Sequence, residues 1–191
     1  MFLKETFIIN SDNDKDLPII GDLTYKKDSK NLVVFCHGFK GFKDWGCWNL
    51  VANLFAENGL KFLKFNFSHN GVTLDNPLKF LDLQSFSLNN YSIELNDVQR
   101  VIDYIVLNNY NSKYEQIYIV GHSRGGAIAC LSTLNNPLID KLVSWAGVAD
   151  FKERFPKNKE LEQWKENGIR YISNSRTNQE MPISIQFYND F

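Results

Sequence analysis

Gly121-His122-Ser123-Arg124-Gly125 sets a serine at the centre of a G-x-S-x-G pattern. Such a serine can act as a nucleophile if it stands on a tight strand-to-helix turn, where side chains two positions away on either side would collide. The turn aims the hydroxyl at the start of a helix, whose free N–H groups favour a developing negative charge. With each fixed position at about 7% frequency, a chain of this length would show the pattern by chance roughly one time in fifteen. The flanks therefore carry the argument: Ile117-Tyr118-Ile119-Val120 leads in as a strand and Ala127-Ile128-Ala129-Cys130 leads out as a helix. A plainer reading, a glycine-rich turn that lets a helix pack closely, needs Gly121 and Gly125 but gives Ser123 no role.

A second motif, Cys36-His37-Gly38-Phe39, ends an apolar run. An oxyanion hole needs two backbone N–H groups converging on one point. Arg124, next after the serine, supplies one, and Phe39 is the candidate for the other. His37 reads as a brace for its loop rather than as a base. His69, in Ser68-His69-Asn70-Gly71, could lie on the rim, but as a base it would have to reach Ser123 from an earlier part of the chain. Asp150 reads as a helix cap, and Glu180 and Asp190 as solvated carboxylates. Cys36, Cys47 and Cys130 are an odd, widely spaced set without zinc or disulfide spacing, and Cys47 and Cys130 read as small buried residues. No metal or cofactor is expected, since Asp and His do not cluster at ligand spacing.

Alternating elements must position these groups. Residues 6–9 and 19–25 read as a hairpin across a polar turn at 10–16, and 32–36 is a continuous apolar run suited to a strand buried on both faces. A helix follows, with Asp44 as its cap, Trp48, Leu50, Val51, Leu54 and Phe55 at helical spacing, and Asn58-Gly59 as its stop. Residues 60–67 read as a strand and 68–90 as a long loop with Phe80, Leu81 and Phe86 tucked in. A helix over 92–107 puts Leu95, Val98, Val101, Ile102, Ile105 and Val106 on one face and Glu94, Asp97, Arg100 and Asp103 on the other. Residues 117–120 and 142–145 are further strands, separated by a helix over 127–134. Beyond Phe151 come a charged stretch, a short amphipathic piece at 161–165 and a polar hairpin around 174–179. The order predicts an α/β fold with a mostly parallel central sheet, helices on both faces and the first hairpin at one edge.

With both motifs at strand ends, the chain resembles the α/β-hydrolase superfamily. Within it, the chain is similar to the bacterial serine-aminopeptidase-like, dienelactone-hydrolase-like and acylaminoacyl-peptidase-like group. The residues that carry the resemblance are His37-Gly38-Phe39 with Gly41 and Trp45, Phe65-Asn66-Phe67, Tyr91-Ser92-Ile93-Glu94-Leu95, Gly121 to Gly126, and Trp145 to Asp150. The resemblance implies a core over 1–150 and a lid-like insert over 151–191. It also implies a serine hydrolase acting on ester, thioester or amide bonds of a small acyl or peptide substrate.

In that superfamily the triad runs Ser, then Asp or Glu, then His. The three histidines here, His37, His69 and His122, all precede Ser123. The resemblance therefore implies a C-terminally incomplete fold, lacking the two strands that deliver the acid and the histidine. Three readings stay open: a serine hydrolase, a truncated and incompetent hydrolase or a subunit completed by another chain, and a small-molecule binding module. If the sheet ends at 142–145, that strand becomes an edge, and a homodimer, a complementing chain or poor solubility is expected unless 151–191 folds back over it. Composition adds exclusions: a net charge of −1 gives no basic footprint for nucleic acid. No apolar run approaches a membrane span, and the opening Met1-Phe2-Leu3-Lys4-Glu5-Thr6 is unlike a signal peptide, so a cytoplasmic protein is expected.

Overall fold

The computed structural model describes residues 1–11, 16–108 and 114–190, so most of the expected 10–16 turn, and Phe191, lie outside the described residues. Strands β1 (Leu3–Ile9), β2 (Ile19–Tyr25), β3 (Asn31–Cys36), β4 (Leu60–Phe65), β5 (Ile117–His122) and β6 (Lys141–Trp145) form one sheet in the order β1-β2-β4-β3-β5-β6. β1 and β2 join antiparallel at one edge, and β4, β3, β5 and β6 run parallel. This is the α/β arrangement that the element order predicts.

β3 is central because it has no polar side to offer. Leu32, Val34 and Cys36 enter the larger core, while Val33 and Phe35 enter a second core on the opposite face. The second core takes Ala52, Trp48 and Phe55 from α1 (Trp48–Glu57). The larger one takes Val98, Val101, Ile102 and Ile105 from α3 (Tyr91–Leu107) and Ile128 and Ala129 from α4 (Arg124–Asn135). Between β4 and α3 lies a short helix, α2 (Leu83–Leu88), capped by the Asp82 carboxylate accepting from the Ser85 N–H. Reading 68–90 as loop missed it, because one and a half turns show no usable period.

Three details depart from expectation. Asp44 does not cap α1, whose N-cap is Cys47; its carboxylate instead meets Lys43 and Lys64. Leu50 and Leu54, at the right spacing for a core face, are 71% and 57% exposed, and Leu81 is exposed as well. Glu94 and Asp97, expected on the solvent face of α3, are buried. Glu94 pairs with Arg124, while Asp97 accepts the Ser68 N–H and pairs with Arg100. Charge type marks a solvent face only while no tertiary partner competes for it.

Residues 151–190 form a 3-10 turn (Lys152–Arg154), α5 (Asn158–Asn167), an antiparallel hairpin of β7 (Ile169–Asn174) and β8 (Gln179–Ser184), and α6 (Gln186–Asn189). This segment lies over the α2–α3 junction. Gln179 Nε2 donates to the Phe80 carbonyl, Asn90 Nδ2 donates to Gln186 Oε1, and Asp190 accepts the Ser92 N–H. Phe155, Trp164, Met181, Ile183 and Phe187 join the larger core. β6 pairs with β5 alone among the described strands, and its Leu142 and Val143 are 36% and 44% exposed. Among the described strands it lies at the edge of the sheet.

Candidate active site

Ser123 joins β5 to α4 with φ +55° and ψ −122°, a conformation that side-chain-bearing residues rarely adopt. The surroundings over-determine it. Its N–H donates to the Trp145 carbonyl at 2.9 Å, and its carbonyl accepts from Gly126 at 3.0 Å and Val148 at 3.3 Å. The flanking glycines answer a steric demand: a Cβ on Gly121 would lie 2.1 Å from the Gly125 carbonyl oxygen, and one on Gly125 would lie 2.3 Å from that of Cys36. The β5–α4 joint and the end of β3 therefore touch backbone to backbone. Gly38 closes against the same point, where an added Cβ would come within 3.1 Å of Ser123 Cβ.

The loop after β3 is tied down from two sides. His37, buried, donates from Nδ1 to the Gly38 carbonyl at 2.9 Å and accepts the Phe67 N–H on Nε2 at 3.3 Å. Burial lowers its pKa to about 4, against a smaller opposing pull from the Gly38 carbonyl, so the ring is neutral and structural near pH 7. Further along, Lys43 meets Asp22 at 2.6 Å and Asp44 at 2.5 Å. Fully buried Lys64 pairs with the same two carboxylates, 2.9 Å from Asp22. Burial opposes ionisation of Asp22, but the hydrogen bonds from Lys43 and Lys64 outweigh it and hold its carboxyl far below the usual range. This two-lysine, two-aspartate cluster was not singled out from the sequence. Lys64 sits in an otherwise apolar strand, and that placement was the available signal.

Ser123, Arg124 and Phe39 line one cavity of about 290 Å³, walled mainly by rings that include Tyr91, Trp164 and Phe187. The Arg124 guanidinium is enclosed by the rings of Phe39, Tyr91 and Phe187 at 4.7–5.1 Å. Its Nε donates to Glu94 Oε2 at 2.9 Å, and its Nη2 lies 2.7 Å from Oε1. As the first residue of α4, Arg124 has a backbone N–H with no acceptor inside the helix. Phe39 stacks on Phe86 at 5.6 Å, so the unforeseen α2 backs the loop that carries it.

None of the three histidines lines this cavity. His69 is buried against Ser68 Oγ, and His122 lies against the Trp48 ring. Asp150 accepts the Lys152 N–H at 2.7 Å in a local turn, but the N-cap of the 3-10 turn is Phe151, so Asp150 is not the helix cap expected. Cys47 and Cys130, expected to be buried, are exposed. Among the described residues no three His, Cys, Asp or Glu side chains gather as a metal site, and no helix is long and apolar enough to cross a membrane.

A family profile described as serine aminopeptidase, S33, matches residues 27–185. A Mycoplasma genitalium protein whose name assigns it provisionally to the esterases/lipases is 31% identical over 112 residues, 59% of this chain and 35% of the relative. The match thus spans about a third of that relative's length. Among solved structures, Est1E from Butyrivibrio proteoclasticus with ferulic acid bound superposes with a TM-score of 0.72 at 17% identity, over 96% of this chain and 69% of that one. A dienelactone hydrolase from Anabaena variabilis gives 0.60 at 18%, over 75% and 64%. At these identities the structural likeness speaks to the fold, an α/β hydrolase.

Proposed function

The chain belongs to the serine aminopeptidase S33 family, and from that premise we propose that Ser123 is the acyl acceptor of an esterase-like site acting on ester, thioester or amide bonds. The observation that carries this reading is the Ser123 backbone at φ +55°, held at a strand–helix joint and opening onto an aromatic cavity. In the proposed step Oγ forms a bond to the carbonyl carbon, and the carbonyl π pair moves onto oxygen. The N–H groups of Phe39 and Arg124 receive that charge. Collapse expels the leaving group, which takes up a proton, and water then releases the acyl group.

The step needs an acceptor for the hydroxyl proton. His37 is committed to its loop and His69 and His122 lie elsewhere, so we assign the base and its acid to residues outside 1–191, of the same polypeptide or of a complementing one, that pack at the β6 edge. Exposed Leu142 and Val143 on β6 support such pairing, as do Leu50 and Leu54 on α1. The imidazole-free lining also favours a second reading, an acyl-binding module without turnover. The three free thiols fit a reducing compartment, and we place the protein in the cytoplasm.

Residues 1–191 should hydrolyse p-nitrophenyl butyrate barely above background and label slowly with a fluorophosphonate, since a serine without its base retains only a residue of catalysis. Adding a family fragment that supplies the acid and histidine should raise both, and Ser123→Ala should abolish the gain. Robust turnover by the isolated chain would overturn the assignment of the base, and labelling that survives Ser123→Ala would overturn that of the nucleophile.

A further inference from the structure

The lining of the Ser123 cavity is asymmetric in charge. Three arginines, Arg124, Arg154 and Arg170, line it, and no aspartate or glutamate does. Arg124 is already matched by Glu94. Arg154, in the 3-10 turn after β6, and Arg170, on β7, pair with no carboxylate among the described residues. Arg170 lies over the Trp164 ring at 5.2 Å, which orients its planar fork without neutralising it. Arg154 is exposed and Arg170 half-buried, so both belong to the part of the cavity built by residues 151–190.

A cavity of about 290 Å³ is near the lower end of ligand sites, room for one ring with short substituents. Its walls supply rings, which suit a flat body, and two unmatched guanidiniums, which suit a planar anion. Resting on the reading of this cavity as the acyl site, we propose that the acyl group it takes is flat and carries its own carboxylate, remote from the bond that faces Ser123 and received by Arg154 and Arg170. The favoured substrate class is therefore a monoester or monoamide of a compact dicarboxylic acid, in preference to a neutral acyl chain.

The test is binding, which needs no turnover. Monomethyl terephthalate and its neutral counterpart methyl 4-carbamoylbenzoate have nearly the same shape and differ in one charge. Calorimetric titration of residues 1–191 should show the carboxylate binding at least about tenfold more tightly. Arg154→Gln and Arg170→Gln should each weaken the carboxylate about fivefold or more and leave the amide unchanged. Should Arg170→Gln disturb folding through its contact with Trp164, Arg154→Gln, at an exposed turn, suffices. Equal affinity for the two probes, a preference that survives the substitutions, or no binding of either at millimolar concentration would overturn the proposal. Its failure is separable from that of the nucleophile assignment, because fluorophosphonate labelling reports Ser123 independently of the arginines.

Discussion

Ser123 holds a backbone conformation that costs on the order of 1–3 kcal/mol, and three backbone hydrogen bonds with the contacts at Gly121 and Gly125 enforce it. Because the obstacles at Gly125 are the carbonyl oxygens of Cys36 and His37, no rotamer change can relieve a side chain there. Gly125→Ala should destabilise the protein by about 3 kcal/mol or more, seen as an early thermal transition by circular dichroism. A variant melting with the parent would show that the joint between β3 and α4 is loose. Arg124 illustrates the same dependence on surroundings. Its side chain, fixed by Glu94 and three rings, ties α3, the Phe39 loop and α6 to one point, while its backbone N–H is the one proposed to meet a substrate oxyanion.

Among the elements, β6 and α1 stand out for what they leave uncovered. Val143 and Leu142 on an edge strand present both unpaired backbone groups and apolar side chains, a template for strand addition. Sedimentation velocity should therefore show residues 1–191 associating as concentration rises. Val143→Lys should shift that equilibrium toward monomer while leaving the far-ultraviolet spectrum unchanged. A parent that stays monomeric at high concentration would sink the expectation. The opposite edge, β1, also exposes Leu3 and Ile8 but alternates them with polar and charged residues, Lys4 pairing with Asp22 and Glu5 accepting from the Tyr25 hydroxyl. α2 and the buried Asp22–Lys43–Lys64–Asp44 cluster act as supports: one backs Phe39, and the other anchors the far end of the same loop.

At the scale of the molecule, buried groups give the pH dependence opposing signs. Burial raises Asp97 to about 7, against hydrogen bonds from Ser68 that pull it down. Between about pH 4 and 7 the folded state therefore binds more protons than the unfolded chain, and the Asp97 contribution to stability falls as pH rises. His37 runs the other way: burial lowers it to about 4, the unfolded chain binds more protons up to about pH 6.5, and stability grows with pH across that window. His69 is lowered by burial too and shares the sign. The parent should thus show a shallow stability profile between about pH 4 and 6.5. Asp97→Asn removes the opposing member, and its stability should climb with pH by up to about 1.4 kcal/mol more per unit. Parallel denaturation profiles for parent and variant would contradict the role given to Asp97.

Periodicity along the chain sufficed for the elements that are long or buried on both faces. The apolar run of β3, the 3.6-residue repeat of α3 and the glycine spacing around Ser123 each report a local steric or hydrophobic demand that any compact fold must meet. The order strand, helix, strand then restricted the sheet to few topologies, and the order β1-β2-β4-β3-β5-β6 is one of them. What depended on distant partners was not legible. Glu94 reads as a surface charge until Arg124, thirty residues on, is folded against it. Asp44 reads as a cap until Lys64 claims its carboxylate, and Leu50 and Leu54 read as core although nothing described in the fold covers them. The cavity is the clearest case, because its walls come from the loop after β3, the start of α3, the β5–α4 joint and residues 151–190. Segments that far apart share no local signal, and only their packing brings Arg154 and Arg170 to the same space as Ser123.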